Sequence, residues 1–514
     1  MSAGIDFGTA NSLIATILPD GTHLLIPDKD YKEKLSTPST IIFDKNQIQV
    51  GTQAEYRFEQ NPKLSAIRFF KRSFGSGEIL FYDLDGHPWY AESLAALILK
   101  KLKADYELKT GAKLETVVLT VPAHFDDVQR NGLIHAAEMV DLKVKSLIDE
   151  PIAAAIYYSS IFKIESTKKN ILIYDFGAGT FDATVIHLSE QGLYVLSKQG
   201  SNQIGGKDLD EVLMTLIQEY LKVHYQFEIE WSAFDLLQLR KVAEKMKLKL
   251  SEKDSFFCIE NIEVHQQVKS VMLSRAHFND KIKAMLLETI RISQECIQES
   301  GLTKNDISAI YLVGGSSLIP LIRDLLLQEI PVGEEHIYCH QPMNAVALGA
   351  ALFDSIHENS TVSQLLPPEF RNVSAYYIAI QYFNHEIQKI EYDIMIYKNA
   401  PLPAKGVRHY FPQSENQKKI VLNIVQSMDM NANWTQVAQY EIEIPKAYSN
   451  HFQIEVAFLL DQNGNLHIKA SDTIRNELIN KEISLTDEKL KYLLYSNQRI
   501  KQFTINEIQS LSNY

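Results

Sequence analysis

This 514-residue chain is poor in cysteine. It has three, Cys258, Cys296 and Cys339, far apart and without a C-x-x-C spacing. That set builds neither a disulfide framework nor a zinc site, and it suits reduced thiols in a cytoplasmic protein. Long apolar runs are missing too. No stretch approaches the ~20 residues that cross a bilayer, and Asp6 breaks the first apolar segment too early for a secretory signal. Nor is there a basic surplus: 51 Lys and Arg stand against 64 Asp and Glu, a net charge of −13. Nucleic acid and acidic membranes both demand the opposite sign, so neither is an expected partner. Three common phosphate signatures are also absent. There is no G-x-x-x-x-G-K-[ST], no H-R-D loop beside the Asp-Phe-Gly triplets, and no G-x-G-x-x-G opening an early helix. The P-loop, protein-kinase and dinucleotide readings therefore fall away.

What is present is a folded composition, 45% apolar and 22% charged, long enough for two or three domains. The early chain alternates strand and helix. Residues 4–18 read as strand, Gly turn and strand; TVVLTVP (116–122) reads as a buried strand. A helix follows from Asp127 to about Val140, with Asp126 or Asp127 as its cap. One echo organises this half: GIDFGTANS (4–12) and IYDFGAGTF (173–181) each set Asp-Phe-Gly at the end of an apolar strand. That self-similarity predicts a duplicated α/β lobe whose two turns face each other across a cleft.

Residues 208–301 read as mainly helical, with a basic helix over 239–253 and a Ser274-capped helix over 274–301. IYLVGGSSLIP (310–320) is strand, Gly turn and helix start, and 345–359 a closing helix. Residues 360–372 read as a linker around Leu365-Leu366 and Pro367-Pro368. The period then becomes two. FQIEVAFLL (452–460), the Asn463-Gly464 turn and the strand after it predict an all-β sandwich over 373–485. A helix with Thr486 as cap candidate closes the chain over 486–514.

Glycine-rich turns after strands hold phosphates through exposed backbone N–H groups. Four occur in order here: 6–12, 175–181, IGGKDLD (204–210) and LVGGSS (312–317). The acidic residues Asp6 and Asp175 at the base of the echoed pair suit Mg²⁺, which takes few protein ligands.

These motifs, with VPAHFDDVQR (121–130), DEPIAAAIYY (149–158) and AVALGAA (345–351), resemble the nucleotide-binding domain of heat shock protein 70 chaperones. AGIDFGTANSLIA and VPAHFDD look nearest to the HscA branch, which serves iron–sulfur cluster assembly. KNAPLP (398–403), ENQ (415–417) and DQNGNLHIKASD (461–472) are similar to the peptide-binding sandwich. The resemblance implies an actin-like ATPase over 1–359, a linker over 360–372, a substrate-binding sandwich over 373–485 and a truncated helical lid over 486–514. It implies ATP or ADP with Mg²⁺, and K⁺ alongside, as cofactors. It implies a cytoplasmic monomer serving client polypeptides, with a J-domain cochaperone and an iron–sulfur scaffold protein as partners.

Carried over by position, Asp6 and Asp175 hold Mg²⁺ through water. Gly8, Thr9, Ala10, Asn11, Gly177, Ala178, Gly179, Thr180, Gly205 and Gly206 surround the phosphates. Lys71, Glu150 and Asp182 position the attacking water. Glu244, Lys247, Leu248, Ser251, Gly314, Gly315, Ser316 and Leu318 hold the adenosine. Pro122 and Arg130 form the conformational switch, and Ile378, Ile380, Ile420, Leu422 and Ile424 line the peptide cleft. Several positions depart from the family. Ala10 and Ile152 each replace a threonine, Ala178 a glycine and Lys207 an acid. Leu248 and Leu318 stand where arginines stack on the base, Met343 where an acid lies near it, and Ser146 where a basic residue meets the J-domain. The lost hydroxyls predict slow hydrolysis, and the Cβ of Ala178 is expected to crowd the second turn.

Overall fold

The structure, a computed structural model, describes residues 3–478 except 32–33, 45–46, 62–63, 84, 163–168, 227–229, 356–368, 385–386, 412–417, 432–433, 444–452 and 473–476, and beyond 478 only Ile500. Strand Ala3–Asp6 runs antiparallel to Asn11–Ile17, which pairs with His23–Leu25. On its other side it runs parallel to Thr116–Val121, and that strand parallel to Lys143–Asp149. Strand Lys169–Phe176 repeats the plan. It is antiparallel to Phe181–Leu188, which pairs with Leu193–Ser201, and parallel to Ala309–Val313, which pairs with Ile337–Tyr338. The same order and sense occur twice, so the two Asp-Phe-Gly turns occupy equivalent places in two lobes.

Each lobe has its own apolar core, and a third cluster ties them together through helices Glu150–Phe162 and Ala345–Ser355. The helices touch backbone to backbone: a Cβ added at Gly349 would lie 1.7 Å from the Ala153 carbonyl oxygen. Only glycine permits that approach, and it fixes the angle between the sheets. Helix Asp127–Glu138 starts as expected. Asp126 accepts from the Gln129 N–H at 2.8 Å, and the Gln129 side chain returns the bond at 3.0 Å.

Residues 208–301 are mainly helical, as the pattern predicts, with one interruption it does not show. Helices Gly206–Tyr225, Ala233–Ser251 and Arg275–Glu299 are interrupted by a hairpin of Phe257–Val264 and Gln267–Ser274. In the first of these strands every second residue, from Cys258 to Val264, is buried, so the period-two pattern overrides the helical surroundings.

Residues 377–478 form a sandwich of two four-stranded antiparallel sheets. One holds Tyr377–Asn384, Lys389–Ile396, Lys419–Ser427 and Thr435–Glu443; the other holds Ala404–Tyr410, Ile454–Leu460, Leu466–Asp472 and Glu477–Leu478. Ile454, Val456, Phe458 and Leu460 turn inward as the alternation predicts. Ile378, Ile380, Ile420, Leu422 and Ile424 are all buried against them in the core between the sheets. The linker's Leu365-Leu366 and Pro367-Pro368 lie outside the described residues. Phe370–Arg371 forms a short strand that extends the second lobe's sheet, parallel to Leu193–Tyr194. Thr486 also lies outside the described residues. Ile500 is buried in the first lobe's core, and its carbonyl accepts from the Lys100 ammonium at 2.9 Å. All three cysteines are free thiols, and among the described residues no helix is long and apolar enough to cross a membrane.

Candidate functional site

The two echoed turns meet where the lobes face each other. A Cβ at Gly179 would lie 2.6 Å from Thr9 Oγ1, so Thr9 of the first turn packs directly on the second. The second turn is braced by the Gly205-Gly206 pair opening helix Gly206–Tyr225. Gly206 N–H donates to the Gly177 carbonyl at 2.9 Å and Lys207 N–H to that of Ala178 at 3.0 Å. Ser316 Oγ donates to the Gly177 carbonyl at 2.9 Å from the fourth turn. Ala178 is not among the residues with positive φ, so alanine fits its backbone without strain. Gly8 accepts from Ser39 Oγ at 2.8 Å, and the carbonyl of Ala10 from Ser39 N–H at 2.8 Å. Asn11 is exposed at the rim, and Thr180 closes its own turn by accepting from Gly177 N–H at 3.1 Å.

Lys71 lies buried in a short turn, Phe70–Ser73, with its ammonium 2.7 Å from Glu150. Phe7 and Phe125 flank that ammonium at 5.9 and 5.7 Å. Arg72 reaches across to the Gly179 carbonyl and to Asp208 at 3.1 Å, joining the lobes. Asp182 is buried, and its Oδ1 is 2.8 Å from His124 Nδ1.

Asp6, Glu150, Asp175 and Asp182 thus lie together with two basic partners, Lys71 and His124, and the carboxylates outnumber them. Burial first, then the charge of Glu150, raises Asp6 to about 7. Burial, then Glu150, Asp182 and Asp6, raises Asp175 well above the usual carboxylate range. Burial raises Glu150 too, against the pull of Lys71. Burial opposes the charge on His124, yet Asp182 raises its pKa. A carboxylate set with surplus negative charge beside glycine cradles fits a hydrated divalent cation and the phosphates it would neutralise.

Outward from the turns, the Lys247 ammonium pairs with Asp210 at 2.7 Å and donates to the Gly206 carbonyl at 3.0 Å. Its pairing is therefore not with Glu244, which is exposed. Ser251 Oγ donates to the Lys247 carbonyl at 2.8 Å. Leu248 and Leu318 are exposed; a Cβ on Gly314 would lie 2.9 Å from Asp175 Oδ1, and one on Gly315 would lie 3.5 Å from Met343 Sδ.

A second polar cluster joins this site to the sandwich. Strand Thr116–Val121 delivers Pro122, and helix Asp127–Glu138 delivers Arg130. Arg130 donates to Asp149 at 2.7 Å and to the Asn463 carbonyl of the sandwich at 3.1 Å. Lys198 also pairs with Asp149 and donates to the Val373 carbonyl at 3.0 Å. Asn372 donates to Asp149 at 3.2 Å. Burial alone would raise the Asp149 pKa, but Arg130 and Lys198 outweigh it and hold it at about 2. Tyr376 O–H donates to the His124 carbonyl, Gln426 to Asp126 at 3.2 Å, and Leu466 N–H to Asp127 at 2.9 Å.

Asp149, Lys198, Tyr376 and His124 were not singled out by the motifs. Asp149 stands inside DEPIAAAIYY and His124 inside VPAHFDDVQR, so position offered a signal. The partners of Lys198 and Tyr376 lie far off in sequence, and neither residue carries a local pattern.

The family model for Hsp70 protein matches residues 2–80 and 76–502. The chain is also similar to the chaperone protein DnaK of Mycoplasma mobile, at 29% identity over 518 aligned residues covering 97% of this chain and 81% of that relative. Two lobes built twice on one topology, a β-sandwich joined to them and a match over nearly the whole length agree: the chain belongs to the Hsp70 family.

Proposed function

We propose that this chain is an ATP-driven chaperone in which the cleft between the lobes hydrolyses nucleotide and the sandwich holds extended apolar peptide. One observation carries the reading: the buried Lys71–Glu150 pair, Asp6, Asp175 and Asp182 converge at the seam of two equivalent glycine turns. Asp6 and Asp175 would hold Mg²⁺ through water, and the ion would neutralise the phosphates and their developing charge. Lys71 and Glu150 orient the attacking water, and His124 fixes Asp182 beside them. Backbone N–H groups of the four glycine turns cradle the phosphates. Residues 1–359 form the nucleotide unit, 373–485 the peptide unit, and 486–514 a shortened lid that leaves peptide release fast. Ile378, Ile380, Ile420, Leu422 and Ile424 would line the peptide cleft; each is buried in the inter-sheet core, where it also packs the sandwich. The iron–sulfur clientele rests on the HscA-like motifs, and a scaffold-derived peptide tests it.

A second reading, a holdase with static nucleotide, is favoured by Ile152, buried at 6% exposure and lacking a hydroxyl, and by Ala10. Calorimetry with Mg·ATP and Mg·ADP, followed by single-turnover hydrolysis with and without a J-domain protein, separates the two. Binding with turnover supports the motor, binding without turnover supports the holdase, and the absence of any heat removes both.

A further inference from the structure

The turn Phe70–Ser73 carries two cations in succession, and they serve different sides of the cleft. The Lys71 ammonium stays with Glu150, at 2.7 Å, just past the first sheet's strand Lys143–Asp149. Arg72 crosses to the second lobe. Its Nε donates to the Gly179 carbonyl at 2.8 Å, its Nη2 to the same carbonyl, and its Nη2 also pairs with Asp208 at 3.1 Å. The turn itself is anchored. Phe70 and Phe74 are buried in the first lobe's core against the Phe7 ring, and Gly75 N–H donates to the buried Glu92 carboxylate at 2.7 Å.

The bond to Gly179 completes a set. Three successive carbonyls of the second phosphate turn are held: Gly177 by Gly206 N–H and Ser316 Oγ, Ala178 by Lys207 N–H, and Gly179 by Arg72. The first two grips come from the turn's own lobe and the third from across the cleft. In a trans peptide the carbonyl and the following N–H point opposite ways. Each held carbonyl therefore aims the N–H of Ala178, Gly179 or Thr180 to the other side, as a phosphate cradle needs. Gly179 is also wedged between the lobes. A Cβ on it would lie 2.6 Å from Thr9 Oγ1, and one on Gly205 would lie 2.6 Å from the Gly179 carbonyl carbon. Lysine cannot make the same grip. The planar guanidinium fork serves the carbonyl and Asp208 at once, whereas an ammonium is a point charge. Lys207 adds nothing to it: burial, then the charge of Arg72, lowers the Lys207 pKa, so the two cations repel.

We infer that Arg72 is a positioning residue that ties closure of the lobes to the geometry of the second phosphate turn: its guanidinium sets Lys71 and the turn's N–H groups in one register. The inference rests on the cleft being the nucleotide site. Its test compares the full chain with R72A, R72K and D208N by calorimetry with Mg·ADP and Mg·ATP, ADP release and single-turnover hydrolysis. R72A should release ADP at least about tenfold faster and hydrolyse saturating Mg·ATP at least about tenfold more slowly. R72K should stay within about threefold of R72A. D208N keeps the carbonyl grip and should speed release only about two- to fivefold. An arginine that serves the fold alone would lower the melting temperature and leave both rates unchanged; that outcome overturns the inference and leaves the nucleotide reading standing. Parental rates in R72K overturn it too, since charge alone would then suffice. Should R72A not fold, D208N decides, and parental release from it refutes the idea. Should the parent bind nucleotide without turnover, the release rates decide in the same way. No heat from the parent with either nucleotide removes the nucleotide reading and the inference with it.

Discussion

Two buried carboxylate clusters lie on either side of the Asp149–Glu150 junction, and their charge balance is opposite. Asp149 ends strand Lys143–Asp149 and faces the sandwich; Asp175 lies near the end of strand Lys169–Phe176 and faces the cleft. Both are buried, so desolvation pushes both pKa values up. Around Asp149, two cations and an amide outweigh that push and hold it at about 2. Around Asp175, three more carboxylates add to it, and the group rises far above the ordinary range. Asp149 is thus fully paired within the protein. The cleft carboxylates are not, and what they lack is positive charge, which a divalent cation would supply.

The most damaging way to break the comparison is Asp149→Ala. It strands Arg130 and Lys198 without their shared carboxylate, and losing one side of a buried ion pair costs about 3–5 kcal/mol. Denaturant unfolding reads this directly, and a loss below about 1 kcal/mol would mean that water screens the cluster. The pH dependence follows in sign. The folded value lies below the ordinary 3.8 of an aspartate, so the contribution is present above that value and is lost as pH falls toward 2. Lys71→Ala comes next. It removes a cation from a cluster that already lacks one and takes away the group that orients water. Single-turnover hydrolysis should fall at least about 100-fold, or roughly 3 kcal/mol, while Mg·nucleotide binding persists. Unchanged turnover would remove Lys71 from the reaction.

Much of the cleft cluster was legible in the sequence, and little of the sandwich seam. Asp6 and Asp175 announce themselves because the chain repeats Asp-Phe-Gly at the end of an apolar strand, and a duplicated lobe must bring equivalent turns together. Arg130 was visible through its motif, but its partners were not. Lys198 sits in strand Leu193–Ser201 and finds Asp149 only once helix Glu150–Phe162 has folded back. The Tyr376 bond to the His124 carbonyl joins residues 252 apart, beyond any local periodicity. Phe370–Arg371 lies inside the span that reads as a linker, 360–372, where Phe beside Arg gives no strand pattern. The hairpin at 257–274 was hidden by the helices on either side. Ala178 looked obstructive because glycine is usual there, yet its backbone never enters the left-handed region.

Asp127 tests the seam from its one weak point. Its Oδ1 accepts from Leu466 N–H in the sandwich, but its Oδ2 is buried without a hydrogen bond. Burial raises its pKa to about 7. Freed from the sandwich it would return toward 3.8, so ionisation works against docking. Docking should be strongest below about pH 4, weaken between about pH 4 and 7, and level off above 7. Asp127→Asn keeps the acceptor for Leu466 and removes the charge. It should strengthen docking by about 1–2 kcal/mol at pH 8 and flatten the pH profile. Hydrogen exchange of the Leu466–Asp472 strand is the readout, and faster exchange in the variant at pH 8 would show that the carboxylate is needed as an anion.

The smallest effect is expected where the lobes are joined by exposed charge. Lys241, on helix Ala233–Ser251 of the second lobe, reaches Glu59, on helix Thr52–Gln60 of the first, at 3.4 Å. The side chains are 29% and 47% exposed, so water and salt compete for both. Such a pair contributes about 0–1 kcal/mol, against several for Asp149. Lys241→Ala should leave unfolding within about 0.5 kcal/mol of the parent. It should still speed nucleotide release about two- to fivefold, because the pair bridges the two lobes. That difference should vanish in 1 M salt, where the Debye length shrinks to about 3 Å. A release rate that stays raised in high salt would mean that Lys241 holds the lobes together by packing its stem rather than by charge.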